Sequence, residues 1–240
     1  MELAGRVALV TGAGKRLGRA VALRLAQEGM HVAVHYRESA REAAEVVGQI
    51  EELGQKAAAI RADLRSVEQI RKLVQETGSE LGRLDLLVNS AANFLPGSVI
   101  STTEQSWEAS LDTNLKAPFF LAQSAAPMLR RSKGAVVNFA DTGGMLGWPG
   151  FIPHSVAKAG VILLTKCLAK ALAPEVRVNA VAPGTITMPG DPPEWEREFV
   201  KVAPLGRTGT PAEVAEAVLY LARAEFLTGH TLVLDAGRTL

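Results

Sequence analysis

At 240 residues, 48% hydrophobic and 21% charged, the chain is too apolar for disorder and long enough for one large domain or two small ones. A formal net charge of +1 creates no global field toward nucleic acid or an anionic membrane, so neither is an expected partner. The single cysteine, Cys167, cannot form an internal disulfide, no apolar run reaches the roughly 20 residues of a membrane span, no signal peptide is visible, and no Cys/His cluster has metal-ligand spacing. A cytoplasmic protein without a metal is the expectation.

Short β-branched runs alternate with longer helical patterns. "RVALVTG" (6–12) reads as a buried strand and "GRAVALRLAQEG" (18–29) as a helix closed by glycine. "HVAVHY" (31–36) is a second strand, 39–54 a second helix, and "KAAAIRADL" (56–64) holds a third strand. Residues 66–82 are helical, "LDLLVNSA" (84–91) is a fourth strand, and one helical region covers roughly 103–131. "GAVVNFA" (134–140) is a fifth strand, 153–173 a long helix, and "VRVNAVAPG" (176–184) a sixth strand. The stretch 183–204, rich in proline and glycine, reads as a loop with a short helix. Thr210-Pro211-Ala212-Glu213 is a capping box that starts a helix to about Arg223, and "TLVLD" (231–235) is a last strand.

This unbroken alternation predicts a single α/β domain, a doubly wound parallel sheet of about seven strands with helices on both faces. No linker or internal repeat interrupts it. In such sheets ligands bind beyond the carboxyl ends of the strands, so 183–204 is positioned to cover the substrate.

"VTGAGKRLG" joins the first strand to the first helix. Gly12, Gly14 and Gly18 allow close backbone approach where a dinucleotide pyrophosphate meets a helix N-terminus. Arg16 stands where a further glycine is usual, with Lys15 before it and Leu17 after. At the end of the second strand an acidic residue would hold the ribose of NAD. The chain has Tyr36 and Arg37 there, which favours NADP(H), with Lys15 as a helper; Glu38 leaves NAD open. Asp63, followed by Leu64, reads either as a ligand for the adenine amino group or as a solvated turn residue.

Together "TGAGKRLG", "ADL", "LDLLVNSAA", "LDTNLKAPF", "VVNFAD", "HSVAK" and "VRVNAVAPG" resemble the short-chain dehydrogenase/reductase family over nearly the whole chain. The resemblance implies a catalytic asparagine, serine, tyrosine and lysine. Asn114 and Lys158 match unchanged, His154 falls on the tyrosine position and Asp141 on the serine position, with the family's usual spacing, 154 − 141 = 13. It implies cofactor contacts from Asn89, Ser90 and Ala91, and from the nicotinamide loop Pro183-Gly184-Thr185-Ile186. Lys158 would bridge the ribose hydroxyls, and Asn114 would hold a water linking Lys158 to solvent.

Arg16, Asp141, "HYRES" and Phe94 further resemble the pteridine reductase branch, in which a phenylalanine stacks on the pterin. That implies NADPH-dependent reduction of a pterin or folate-like small molecule. Arg16, Phe94 and Asp141 would hold it, Trp195 would wall the pocket, and Asp141 and His154 would organise proton delivery. The alternatives are a carbonyl (keto-acyl) reductase and a non-catalytic NADP-binding protein. Family members are commonly homotetramers, so the resemblance implies that assembly too.

Overall fold

The computed structural model describes residues 2–240. Its strands are β1 (Val7–Val10), β2 (His31–Tyr36), β3 (Ala57–Arg61), β4 (Leu86–Asn89), β5 (Ala135–Phe139), β6 (Arg177–Pro183) and β7 (Thr231–Leu234). All pair in parallel in one sheet ordered β3-β2-β1-β4-β5-β6-β7. The helices are α1 (Arg16–Gln27), α2 (Ala40–Glu52), α3 (Val67–Leu81), α4 (Glu104–Leu111), α5 (Ala117–Ser132), α6 (Gly143–Leu146), α7 (Ile152–Leu172), α8 (Pro193–Val200) and α9 (Pro211–Arg223). Among the described residues no helix is long and apolar enough to cross a membrane.

The period-two rule divides the core. In β1, Ala8 and Val10 join one apolar cluster and Leu9 the other; in β4, Leu86 and Val88 join the first and Leu87 the second. The first cluster is covered by α1, α2 and α9, and the second by α3, α5 and α7. Helices on both faces explain why β1 and β4 are apolar without alternation. Each fully buried leucine of these strands contributes about 2 kcal/mol of transfer free energy, with Leu9, Leu86 and Leu87 all at 0% exposure.

The capping box forms as the sequence dictates: Thr210 accepts from the Glu213 amide and the Glu213 carboxylate accepts from the Thr210 amide at 2.8 Å. Arg207 also grips Glu213, so its carboxyl falls to about 2, held down first by Arg207 and then by the Thr210 amide. The 103–131 region is helical as its sequence reading expects, from Glu104 to Ser132. Within it one π turn, Asp112–Lys116, separates α4 from α5. A single extra residue there leaves the apolar pattern nearly unchanged, so periodicity does not reveal it.

Between β1 and β4 the strand order reverses. The chain leaves the carboxyl ends of β1, β2, β3, β4, β5 and β6 through Gly12, Arg37, Ala62, Ser90, Ala140 and Gly184, and all six line one cavity of about 780 Å³.

Candidate active site

The cavity has two ends. At one, α1 begins at Lys15 without any side-chain cap and with no acidic residue in its first turn. Among the described helices only α3, α4 and α9 have a side-chain cap, from Ser66, Thr103 and Thr210. An uncapped N-terminus facing a cavity leaves amides and the positive end of the helix dipole for an anion. Gly18 is required for the geometry: a Cβ there would lie 2.3 Å from the Gly12 carbonyl. Lys15 pairs with Glu42 at 2.7 Å and Arg37 with Glu38 at 2.9 Å, all at the same end. Asp63 lies beside them, its carboxyl drawn down to about 2, chiefly by the Arg65 guanidinium.

At the other end α7 brings in His154 and Lys158, four residues apart and so on one helical face. They face inward, at 3% and 4% exposure. Lys158 Nζ donates to the Phe139 carbonyl at 2.6 Å, which uses one of its three N–H groups. Burial pushes its ammonium below the usual lysine range, and the charge of Asp141 partly offsets this.

Asp141 follows β5 and stands directly before the turn into α6. Its carboxylate accepts from His154 Nε2 in a very short hydrogen bond and from the Gly144 amide at 3.2 Å. Burial raises the carboxyl, but the bond from His154 and the charge of Lys158 outweigh it and hold it below the usual range. On its far side His154 Nδ1 donates to the Asn93 carbonyl at 3.3 Å. Both ring nitrogens therefore face oxygen atoms, and the ring is held between Asp141 and Asn93.

Gly144 sets how closely α6 approaches α7. Its missing Cβ would lie 2.6 Å from the Lys158 carbonyl carbon and 2.7 Å from the Ala159 amide nitrogen. Asn114 supports from behind: its Oδ1 accepts from the Asn93 amide at 3.1 Å, and its Nδ2 donates to the Asn93 carbonyl at 3.1 Å. The π turn aims this side chain. Aromatic rings wall the histidine, with Phe94 edge-on at 4.8 Å and Trp148 parallel at 6.2 Å.

Most sequence-predicted residues meet in this cavity: Gly12, Lys15, Arg16, Leu17, Gly18, Arg37, Asp63, Leu64, Ser90, Ala91, Phe94, Asp141, His154, Lys158, Pro183, Gly184 and Ile186. Six do not line it, among them Gly14, which lies against the start of α2, where a Cβ would meet the Ser39 hydroxyl oxygen at 2.8 Å. Tyr36 packs its ring on the core, and Asn89 donates to Asn138 inside the sheet at 2.8 Å. Asn114 is engaged with Asn93, and the Thr185 carbonyl with the Gly209 amide at 3.0 Å. Trp195 is 47% exposed, because α8 is anchored only near its C-terminal end, by Phe199, and its first turns stand in solvent. Sequence reading missed His35, Asn93, Trp148, Phe151 and Asp191. Only Asn93 carried a local signal, as the neighbour of Phe94.

A sequence model described as enoyl-(acyl carrier protein) reductase matches residues 12–239. The chain is 38% identical to the 3-oxoacyl-acyl-carrier-protein reductase FabG of Staphylococcus aureus, with 96% of each chain covered. It is 37% identical to the corresponding reductase of Synechocystis, with 99% of this chain and 98% of the relative covered. Among solved structures, a dehydrogenase/reductase from Sinorhizobium meliloti superposes with a TM-score of 0.94 at 35% identity, covering 100% and 98% of the two chains. A blue fluorescent protein from a metagenomic library, solved with NADPH, superposes with a TM-score of 0.94 at 31% identity, covering 100% of both. Fold, site and relatives define the class: an oxidoreductase built on a dinucleotide-binding sheet. The chain belongs to the short-chain dehydrogenase/reductase family.

The pterin or folate-like substrate is overturned. Relatives alike over the whole chain are 3-oxoacyl-acyl-carrier-protein reductases, not pteridine reductases. The three residues that suggested a pterin also have partners within the protein. Arg16 makes two hydrogen bonds to Asp191, at 2.6 and 3.0 Å; Phe94 stacks on Phe151 at 4.2 Å; and Asp141 is bonded to His154.

Proposed function

We propose that the protein is an NADPH-dependent carbonyl reductase whose substrate is a keto-acyl compound. The observation that carries this is the His154–Asp141 pair beside buried Lys158, in a chain whose full-length relatives are named for keto-acyl reduction. The uncapped start of α1 and the clearance at Gly18 fit a pyrophosphate, and Arg37 with Lys15 fits the 2′-phosphate of NADP(H). Asp63 and Leu64 would flank the adenine, Ser90 and Ala91 its ribose, and Pro183, Gly184 and Ile186 the nicotinamide.

When bound, that cofactor supplies hydride to the carbonyl carbon. His154 takes the place that tyrosine has in the family pattern. Its Nε2 proton is shared with Asp141, and the more exposed Asp141 carboxyl passes that proton to the carbonyl oxygen as negative charge develops there. Asp141 orients the ring and stands between the Nε2 proton and the cavity. Lys158 lowers the cost of the developing alkoxide, and Asn114 fixes the Asn93 carbonyl that holds the other ring nitrogen. The product is the corresponding hydroxyacyl compound. The segment 183–204 covers the substrate, held across the mouth by Asp191 on Arg16.

Exposed Trp107 on α4, Phe119 on α5, Phe226 and Leu240 support the homotetramer that the family resemblance implies. Light scattering on the purified protein tests it. The activity is tested by NADPH oxidation at 340 nm with a 3-oxoacyl thioester. Stoichiometric hydroxyacyl product is expected, and no oxidation with 3-oxoacyl thioesters or simple ketones sinks the reading.

A further inference from the structure

His35 takes no part in the reaction described above, yet it sits between two loops of the cavity. It lies on β2 and is 2% exposed. Its Nδ1 accepts from the Gly12 amide at 3.0 Å. Its Nε2 lies 3.1 Å from the Ala62 carbonyl, which offers only lone pairs, so Nε2 carries the proton. The two bonds fix one neutral tautomer, acceptor toward Gly12 and donor toward Ala62. The main chain adds to the join: the Ala13 amide donates to the His35 carbonyl and the Ala62 amide to the Tyr36 carbonyl, both at 3.0 Å.

Gly12 opens the loop that leads into α1. Ala62 opens the loop that carries Asp63 and Leu64. Gly12, His35, Ala62, Asp63 and Leu64 all line the cavity. A strand end with an apolar residue at this place would leave the Gly12 amide without its side-chain acceptor and the Ala62 carbonyl without its side-chain donor. Both losses fall on backbone that shapes the cavity wall.

We propose that His35 is a positioning residue for the dinucleotide: its two ring nitrogens hold the α1 loop and the loop after β3 at a fixed separation, so that the pyrophosphate and adenine ends of the cavity are set before the cofactor arrives. The proposal rests on the NADPH reading above for its ligand. Its energetic content is pre-organisation: loops already held in the binding geometry lose less entropy when the ligand binds.

Asparagine places an acceptor where Nδ1 is but cannot reach Ala62. Glutamine reaches Ala62 but has nothing at the Nδ1 position. Leucine keeps bulk and has neither. Binding of NADPH is followed by calorimetry, without turnover, on wild type, His35→Asn, His35→Gln and His35→Leu. Amide hydrogen exchange at Gly12 is read on the same four proteins.

His35→Leu is expected to raise the NADPH Kd about tenfold or more while kcat at saturating cofactor changes less than twofold. His35→Asn recovers most of the affinity and the slow Gly12 exchange, and His35→Gln recovers less of both. Wild-type affinity in His35→Leu, or equal Kd values for the asparagine and glutamine variants, overturns the proposal. Should the leucine variant fail to fold, the asparagine–glutamine comparison decides alone. If wild type binds no NADPH, the cofactor reading fails. The Gly12 exchange rates then judge the loop-holding role separately, and wild-type exchange in His35→Leu refutes it.

Discussion

Replacing Gly144 by alanine tests whether the spacing between α6 and α7 sets the reactive geometry. The new Cβ would lie 2.6 Å from a backbone carbon of Lys158, whereas ordinary contact begins at 3.4 Å. The difference, 3.4 − 2.6 = 0.8 Å, must be absorbed by displacement of a backbone segment, because the obstacle is helix backbone and not a flexible side chain. α7 is a long helix packed along the sheet, so the short α6 turn moves, and Asp141 moves with it. Overpacking of this kind costs about 1–3 kcal/mol. A misplacement near 1 Å of a group that must be oriented for reaction costs about 10²-fold in rate. Urea denaturation should show a loss of about 2 kcal/mol, and kcat for reduction of a 3-oxoacyl thioester should fall about 50-fold or more. The control is Gly48→Ala in α2, where a Cβ meets nothing within 4 Å. That change should add about 0.5–1 kcal/mol by helix propensity and leave the rate alone. Unchanged stability and rate in Gly144→Ala would refute the reasoning.

Two further outcomes follow from the buried histidines. Burial holds His35 down to about 4, against 6.5 in the unfolded chain, with the Ala62 carbonyl and the Asp63 charge opposing. The unfolded chain therefore binds a proton below 6.5 that the native protein refuses until about 4. This contribution is complete above 6.5 and is lost as pH falls toward 4. It amounts to about 2.5 kcal/mol by pH 4.5. Denaturation of wild type and His35→Asn across pH 7.5 to 4.5 should converge by roughly that amount, and parallel curves would count against it. The second outcome concerns the reacting pair. His154→Gln and Asp141→Ala should each lower kcat by about 10²–10³-fold, and the double variant should be little worse than either, because the two act as a unit. Additive losses would show that the two side chains work independently.

The sheet was legible because its strands are uniformly apolar and its helices keep a 3.6-residue period. Turn and cap chemistry was equally local, as Thr210 and Glu213 show. Lys158 and His154 could be placed together because four residues on a helix fix their relation in advance. What escaped depends on contacts distant in sequence. Arg16 reads as a free ligand for substrate until Asp191, 175 residues away, is seen to hold it. His35 reads as one more residue of an apolar strand, because its two partners come from other loops. Trp195 looked like a pocket wall only while the anchoring of α8 was unknown. The substrate class was misjudged for a related reason: residue types that would suit a flat heterocycle are satisfied by neighbours inside the protein.

The π turn at Asp112–Lys116 has a consequence for how this site can be lost. Removing any one residue between Ser110 and Ala117 would let α4 and α5 fuse into a continuous α-helix with better hydrogen bonding. Because the π turn absorbs one extra residue, the flanking faces of α4 and α5 would stay in register and only the residues of the turn itself would shift. Asn114 would swing away from Asn93, and the carbonyl that steadies His154 would lose its support. A single-codon deletion would thus favour the fold and disfavour the chemistry.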